Sequence, residues 1–500
     1  MSQTAPLLAD VEDEPRSYVR EPNGQEDVKP VVVHGSPDDA QEWPPSVKWS
    51  MVALVSLSAF SVTYGCLSVA PVATRIANDL DGGDSGKSAA ALLVTIWELG
   101  EAAGPLLIAP LAEMFGRRPL YNVANLLFVA ATMLGALSRD KGEFVASRAL
   151  TGMAVAANVL NPAIIGDMFP TEQRGAAMSC IMFAPLVASS VGPVFSSILA
   201  DRMGWRSVPW TSAALAALCV LAFSTCFRET YRASILRRKI TWIRKESEDE
   251  HSSHIDSLTR EITVVGSPTG IWSSMMRPIT VFLDSGVLAS LSLFGSLMFS
   301  YFYVISTTLP DILEEVYQFP SSMTGSAFLA NGVGSLIGVV ICNLTLDRIY
   351  IKLSNDNNKG VGLPEFRLPL TLIGVATMTP AVALYGWCAE YRLPLYLFVV
   401  SVVWIRVSMT VAFVPLMPYV VDACGTYSAS ALTGTIVIRC LAGTFCPLLT
   451  AEMIERMGYG WAFTTLAVVS LVVGIIPAMI FRYGSRWRQR SKYTKTTEGA

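Results

Sequence analysis

Glu98 and Glu101 stand three residues apart inside an otherwise apolar run near residues 88–112. At that spacing both carboxylates lie on one helix face. Arg148 sits inside a second apolar run, 143–166, and Arg406 and Arg439 lie within two later ones. An ionisable side chain in such a run is costly and faces the protein interior or a water-filled cavity. An arginine beside titratable carboxylates shifts their affinity for protons and lets protonation respond to a bound solute. Glu98 and Glu101 are thus candidate proton acceptors with Arg148 as their candidate partner, and a purely structural ion pair is the plain alternative. Arg406 is a candidate substrate or coupling residue.

A second group lies at the ends of the apolar runs. The connection Glu113-Met114-Phe115-Gly116-Arg117-Arg118 puts an acid, a glycine and two arginines in a very short loop. Gly116 permits a tight turn, and the arginines can reach carboxylates on a neighbouring loop. Two readings stand: a latch that holds one conformation, or an anchor that fixes orientation in the bilayer. Asp167 and Arg174 follow the fourth run, and Asp347 and Arg348 end the eighth. Gly104 precedes Glu113, and Gly338 precedes Asp347, by the same interval; Asp167 to Pro193 and Asp422 to Pro447 are nearly matched. A duplicated half is the expectation. Ala184-Pro185 and Gly192-Pro193 mark a bend in the fifth run, because proline removes a backbone hydrogen bond and glycine permits close packing; Gly192 and Pro193 are a candidate pivot. Tyr301, Phe302, Tyr303, Trp387 and Trp404 are candidate cavity-lining aromatics.

These residues must be positioned by membrane helices. The chain has 500 residues, 52% hydrophobic and 15% charged, with a mean hydropathy of +0.45. Soluble domains are nearer a quarter charged. Runs of about 20 apolar residues fall at 49–72, 88–112, 120–138, 143–166, 176–200, 208–227, 279–308, 322–346, 368–388, 394–421, 428–452 and 460–482. The expected fold is all-α, twelve transmembrane helices in two six-helix bundles. Residues 1–45 read as a disordered cytoplasmic tail, 46–227 as the first bundle, 228–278 as a cytoplasmic central loop, 279–482 as the second bundle and 483–500 as a cytoplasmic tail. The central loop carries the basic cluster Arg237, Arg238, Lys239, Arg244 and Lys245, then the acids Glu246, Glu248, Asp249 and Glu250. Lys and Arg concentrate in the connections on the side of the termini, which predicts that both termini are cytoplasmic.

Several chemistries find no footing. Gly86-Lys87-Ser88 imitates the end of a phosphate-binding loop, but Asp81 stands where that pattern needs glycine. The nine cysteines have no CxxC spacing and mostly sit in apolar runs, and His34, His251 and His254 lie in hydrophilic segments. No metal, nucleotide, cofactor or nucleic acid is expected, and neither is an enzyme.

The loop ending Glu113-Met114-Phe115-Gly116-Arg117-Arg118-Pro119 resembles the loop 2–3 signature of the major facilitator superfamily. Other segments are similar to its twelve-span drug:proton antiporter branch in the form common in fungi: Arg148-Ala149-Leu150-Thr151-Gly152, Gly166-Asp167-Met168-Phe169-Pro170, Gly204-Trp205-Arg206, Arg228-Glu229-Thr230-Tyr231, Pro364-Glu365-Phe366-Arg367 and Tyr427-Ser428-Ala429-Ser430. The resemblance implies alternating access around a central cavity, proton coupling at Arg148, and gating by Glu113, Gly116, Arg117 and Arg118. The span-five signature of that branch ends in two glycines where this chain has Ser196-Ser197, and Glu113 replaces an aspartate.

The reading is a proton-coupled plasma-membrane exporter of a small organic molecule: a drug, a toxic secondary metabolite or a polyamine. Protonation at Glu98 or Glu101 in the field of Arg148 is expected to compete with substrate. A proton-coupled importer on the same fold is the rival, and a non-transporting membrane sensor a more distant one.

Overall fold

In a computed structural model, the described residues are 40–83, 86–155, 158, 160–170, 173–231, 234–235, 276, 279–356, 363–424, 428–491 and 494. Residues 1–39, the charged stretch Arg237–Glu250 and the end of the C-terminal tail lie outside them, as does the side chain of Glu113.

A bilayer offers the backbone no hydrogen bonds, so long apolar runs close their own as helices. Length and apolarity alone pick out nine helical stretches among the described residues. The last of these, Ser430–Arg488, holds two spans, because Gly458 turns the chain at φ 79°. The second span, Lys87–Phe115, and the fourth, made of Lys141–Val155 and Asn161–Met168, complete twelve. Span one is Pro45–Leu67 continued by Ala73–Asp81. Spans three, five and six are Arg117–Leu137, Arg174–Met203 and Ser207–Cys226. Span seven is Gly286–Asp311, beginning later than the expected 279 because Ser285 caps its N-terminus by accepting a bond from the Leu288 amide. Spans eight, nine and ten are Phe328–Asp356, Leu368–Glu390, and Leu395–Phe413 with Leu416–Cys424.

The packing repeats. In the first half span one packs on five, two on four and three on six; in the second half seven packs on eleven, eight on ten and nine on twelve. The halves meet along two seams that are also equivalent, span two against eleven and span five against eight. The duplicated spacings in the sequence therefore correspond to a duplicated helix packing.

Close backbone approach brings charged side chains to the middle. A Cβ on Gly152 in span four would run into the Trp97 carbonyl of span two. This contact lets Arg148, one turn earlier, reach the carbonyls of both spans one and two.

Candidate functional site

Three groups of polar residues meet at mid-membrane depth, and their pairing differs from the expectation. Arg148 is buried and donates to three carbonyl oxygens: Leu93 at 3.3 Å, Gly65 at 3.1 Å and Cys66 at 2.7 Å. It makes no ion pair with Glu98 or Glu101. Glu101 instead pairs with Arg439 of span eleven at 3.2 Å, and Glu98 accepts a 2.5 Å bond from the Tyr303 hydroxyl of span seven. Both glutamates thus bridge the halves. The physical reason is register: successive turns of span two face span eleven, with Thr95 donating to the Thr444 carbonyl one turn away. Arg148 lies on the other side of span two, satisfied by backbone.

Exposure is graded across this cluster: Glu98 is 1% exposed, whereas the side chains of Glu101 and Arg439 are 13% and 21% exposed. Arg406 of span ten is half-buried. Its guanidinium lies 4.3 Å from the Phe302 ring centroid, and its Nε donates to Ser335. Arg439 lies 4.5 Å over Phe299. Tyr303 packs edge-on to Phe302 and Phe299. Of the candidate aromatics, Tyr301, Phe302 and Tyr303 are buried in the interior. Trp404 is 38% exposed, and Trp387 packs on Tyr391 and Trp461.

Along the seams, closure is one-sided. At the end far from the termini, Lys87 reaches Glu315 at 2.7 Å and the Tyr459 hydroxyl at 2.7 Å, and its amide donates to Glu455. Thr74 donates to Asp311 at 2.8 Å. The residues of the dismissed Gly86-Lys87-Ser88 pattern belong to this seal. Span five meets span eight there through small residues: a Cβ on Gly325 would strike the Pro193 carbonyl and Ser197, and one on Gly332 would strike Ser190. Of the candidate pivot, Pro193 therefore lies at the seam, while Gly192 packs against Tyr64 of span one. Ser197 turns its hydroxyl back to the Pro193 carbonyl at 2.9 Å, so Gly325, in the helical turn Thr324–Ala327 that leads into span eight, supplies the glycine at the crossing where span five has serine. Followed toward the termini, the same stripes are exposed, Phe183 at 56% and Leu336 at 49%. The halves are closed at the far end and parted at the end that carries the termini.

The loops at that end hold two related ion-pair clusters. In the first half Arg117 Nε lies 2.8 Å from Asp167. Glu229 accepts bonds from the Arg117, Arg118 and Tyr231 amides, each at 3.0 Å. A carboxylate at these free amides suits the N-terminus of span three. Arg118 donates to the Ser224 carbonyl, and Arg174 to the Phe169 and Gly166 carbonyls. In the second half Arg367 pairs with Asp422 at 2.6 Å and Asp347 at 3.6 Å. Asp167 and Asp422 are thus equivalent, as their spacing implied. Asp347 is only a peripheral member, 78% exposed, and Arg348 pairs with none of the described residues.

Gly116 has φ 92°, and a Cβ there would approach Glu229 Oε2 to 2.6 Å. Gly116→Ala is expected to cost about 1–3 kcal/mol from backbone strain and to displace Glu229 from span three. A lowered unfolding midpoint in thermal denaturation of the purified protein checks this, and Glu229→Gln is expected to reproduce part of the loss.

The sequence gives no reason to place Arg439, Tyr303 or Glu229 in contact with Glu101, Glu98 or the start of span three. Arg439 carried a signal, a lone arginine in an apolar run, but periodicity does not reveal that spans two and eleven adjoin.

Two like helical halves around a charged centre, sealed at one end and parted at the other, define a membrane transporter. The chain belongs to the Major Facilitator Superfamily, whose sequence profile matches residues 52–445. It is 31% identical over 484 residues to the efflux pump radE of Floropilus chiversii, covering 96% of this chain and 87% of that protein. It is 30% identical over 489 residues to the MFS-type transporter atr4 of Stereocaulon alpinum, covering 96% and 86%. Among solved structures, the xylose transporter XylE from E. coli in a partially occluded inward-open conformation superposes with a TM-score of 0.63 at 16% identity, covering 88% of this chain and 98% of that one; at that identity the likeness speaks for the fold. The protein is a multi-pass transporter of a small-molecule substrate, not an enzyme.

Proposed function

We propose that the protein exports a small organic molecule across the plasma membrane in exchange for protons, with both termini cytoplasmic. The bias of Lys and Arg toward the connections on that side supports the orientation, and the state described is then inward-facing. The observation that carries the reading is that Glu98 and Glu101 bridge the two halves. Their charge is thereby tied to which side is closed. With Glu101 ionised, Arg439 holds the outer side shut while the cavity faces the cytoplasm. Protonating Glu101 removes the charge that holds Arg439 and eases opening outward. A ligand shifts such an equilibrium only by its differential affinity for the two states. The gating roles of Glu113, Gly116, Arg117, Arg118, Asp167 and Arg174 on the first half, and of Asp347 and Arg348 on the second, are part of the same proposal, with Arg367 and Asp422 added from the observed pairs. So is the pivot at Gly192 and Pro193.

The export direction draws support from a relative named as an efflux pump. The test is accumulation of fluorescent dyes and toxic organics in cells expressing the chain, with and without a protonophore. Lower accumulation that the protonophore restores is the expected result. Higher accumulation that uncoupling abolishes would make the protein an importer.

A further inference from the structure

We propose that the transported molecule is an aromatic organic anion and that Arg406 binds its acidic group. The inference rests on the cavity between the halves being the transport site; it does not depend on the direction of transport.

Among the described residues Arg148, Arg439, Arg488 and Arg406 all stand in the interior between spans, and the fold treats the last of them differently. Arg148 has three carbonyl acceptors. Arg439 has the Glu101 carboxylate, and Arg488 has both oxygens of Glu365. Arg406 has the Ser335 hydroxyl and, at 3.3 Å, the Met409 sulfur. A thioether is a weak acceptor, and a guanidinium carries five N–H donors. Among the described residues no carboxylate lies within ion-pairing distance of it. Its position is nonetheless held firmly: Gly334 leaves no room for a Cβ beside the Arg406 stem. A fixed guanidinium without an anion is an unmet electrostatic demand in a low-dielectric site, and the planar fork matches a carboxylate through two parallel bonds.

The surroundings select a ring. The guanidinium is stacked over Phe302, and Phe299 and Phe413 stand together at 5.5 Å between centroids, both half-buried. Apolar faces beside a single unmatched cation suit a flat hydrophobic acid more than an inorganic ion or a polyamine. The second cation, Arg439, already has its carboxylate. Proton and anion thus occupy different groups, Glu98 and Glu101 for one and Arg406 for the other, and they communicate through the alternation of the halves. An inside-negative membrane potential favours anion exit by about 2.3 kcal/mol per charge per 100 mV.

The experiment measures fluorescein binding to the purified full-length protein by anisotropy, with ethidium as the cationic and Nile red as the neutral competitor. Fluorescein is expected to bind. Arg406→Gln is expected to weaken it about ten- to a hundredfold, the loss of a charge-assisted bond, with Arg406→Lys in between. Absence of fluorescein binding, equal binding by both variants, or displacement by ethidium overturns the proposal. If Arg406→Gln does not fold, the Arg406→Lys protein gives the answer. Cell assays with the same dyes separate the two readings. Uptake of fluorescein that depends on Arg406 overturns export and keeps the anion; extrusion of ethidium or Nile red but not fluorescein keeps export and overturns the anion.

Discussion

Glu101→Gln is expected to cut transport driven by a proton gradient at least tenfold while leaving exchange of substrate across the membrane at equilibrium. The substitution keeps the shape of the side chain and removes the one charge that answers Arg439 across the seam. Exchange needs only that the halves alternate. Uphill transport needs a group whose proton occupancy differs between the two states, and glutamine has no proton to gain. The expected loss of driven transport is at least tenfold, about 1.4 kcal/mol of coupling. Arg439→Gln should be worse for the fold, because it leaves Glu101 and Glu98 together without a cation. The pair Glu101→Gln with Arg439→Gln should recover stability but not coupling, a non-additivity that a double-mutant cycle measures directly. Reconstituted vesicles with an imposed pH gradient supply both readouts. Full proton-driven transport in a Glu98→Gln, Glu101→Gln protein would remove the chemical basis of the proposed cycle.

The helices were legible in the sequence and their neighbours were not. Apolar length found twelve spans because a bilayer imposes it, and the split packing of the two halves follows the spacing of Asp167, Pro193, Asp422 and Pro447. Pairing was a different matter. Span two is apolar nearly all round, so no amphipathic face tells which way Glu98 and Glu101 point. The nearest visible cation in the same half was Arg148, and the sequence favoured it. The structure gives Arg148 to backbone carbonyls and sends the glutamates across the seam to Arg439 and Tyr303. Glu229 was visible only as part of a segment resembling a family motif. Its action, holding the amides at the start of span three, depends on a chain separation of more than a hundred residues. Asp347 matched Glu113 by spacing, yet Arg367 takes Asp422 more closely, because the Asp347 side chain is turned outward, 78% exposed against 32% for Asp422.

Removing either member of the Glu365–Arg488 pair is expected to produce the largest loss of stability. Arg488 Nε and Nη2 donate to the two carboxylate oxygens at 2.8 and 3.2 Å, and the side chains are 3% and 4% exposed. The sequence placed Arg488 in a basic tail, where a charge serves orientation. The structure instead folds it into the second half and clamps the end of span twelve to Pro364–Arg367 at the start of span nine. A Cβ on Gly484 would come within 3.0 Å of Glu365 Oε1, so the helix is closely fitted around the carboxylate. Glu365→Ala or Arg488→Ala strands a desolvated charge, a loss of about 3–5 kcal/mol. Joint replacement, Glu365→Leu with Arg488→Met, removes both charges, and burying hydrophobic side chains in their place is about neutral. Thermal unfolding of the three proteins in detergent separates the explanations. Two unstable single variants and a near-normal double variant assign the loss to the stranded charge. Equal instability in all three would instead make the clamp itself, rather than its electrostatics, what holds span twelve to span nine.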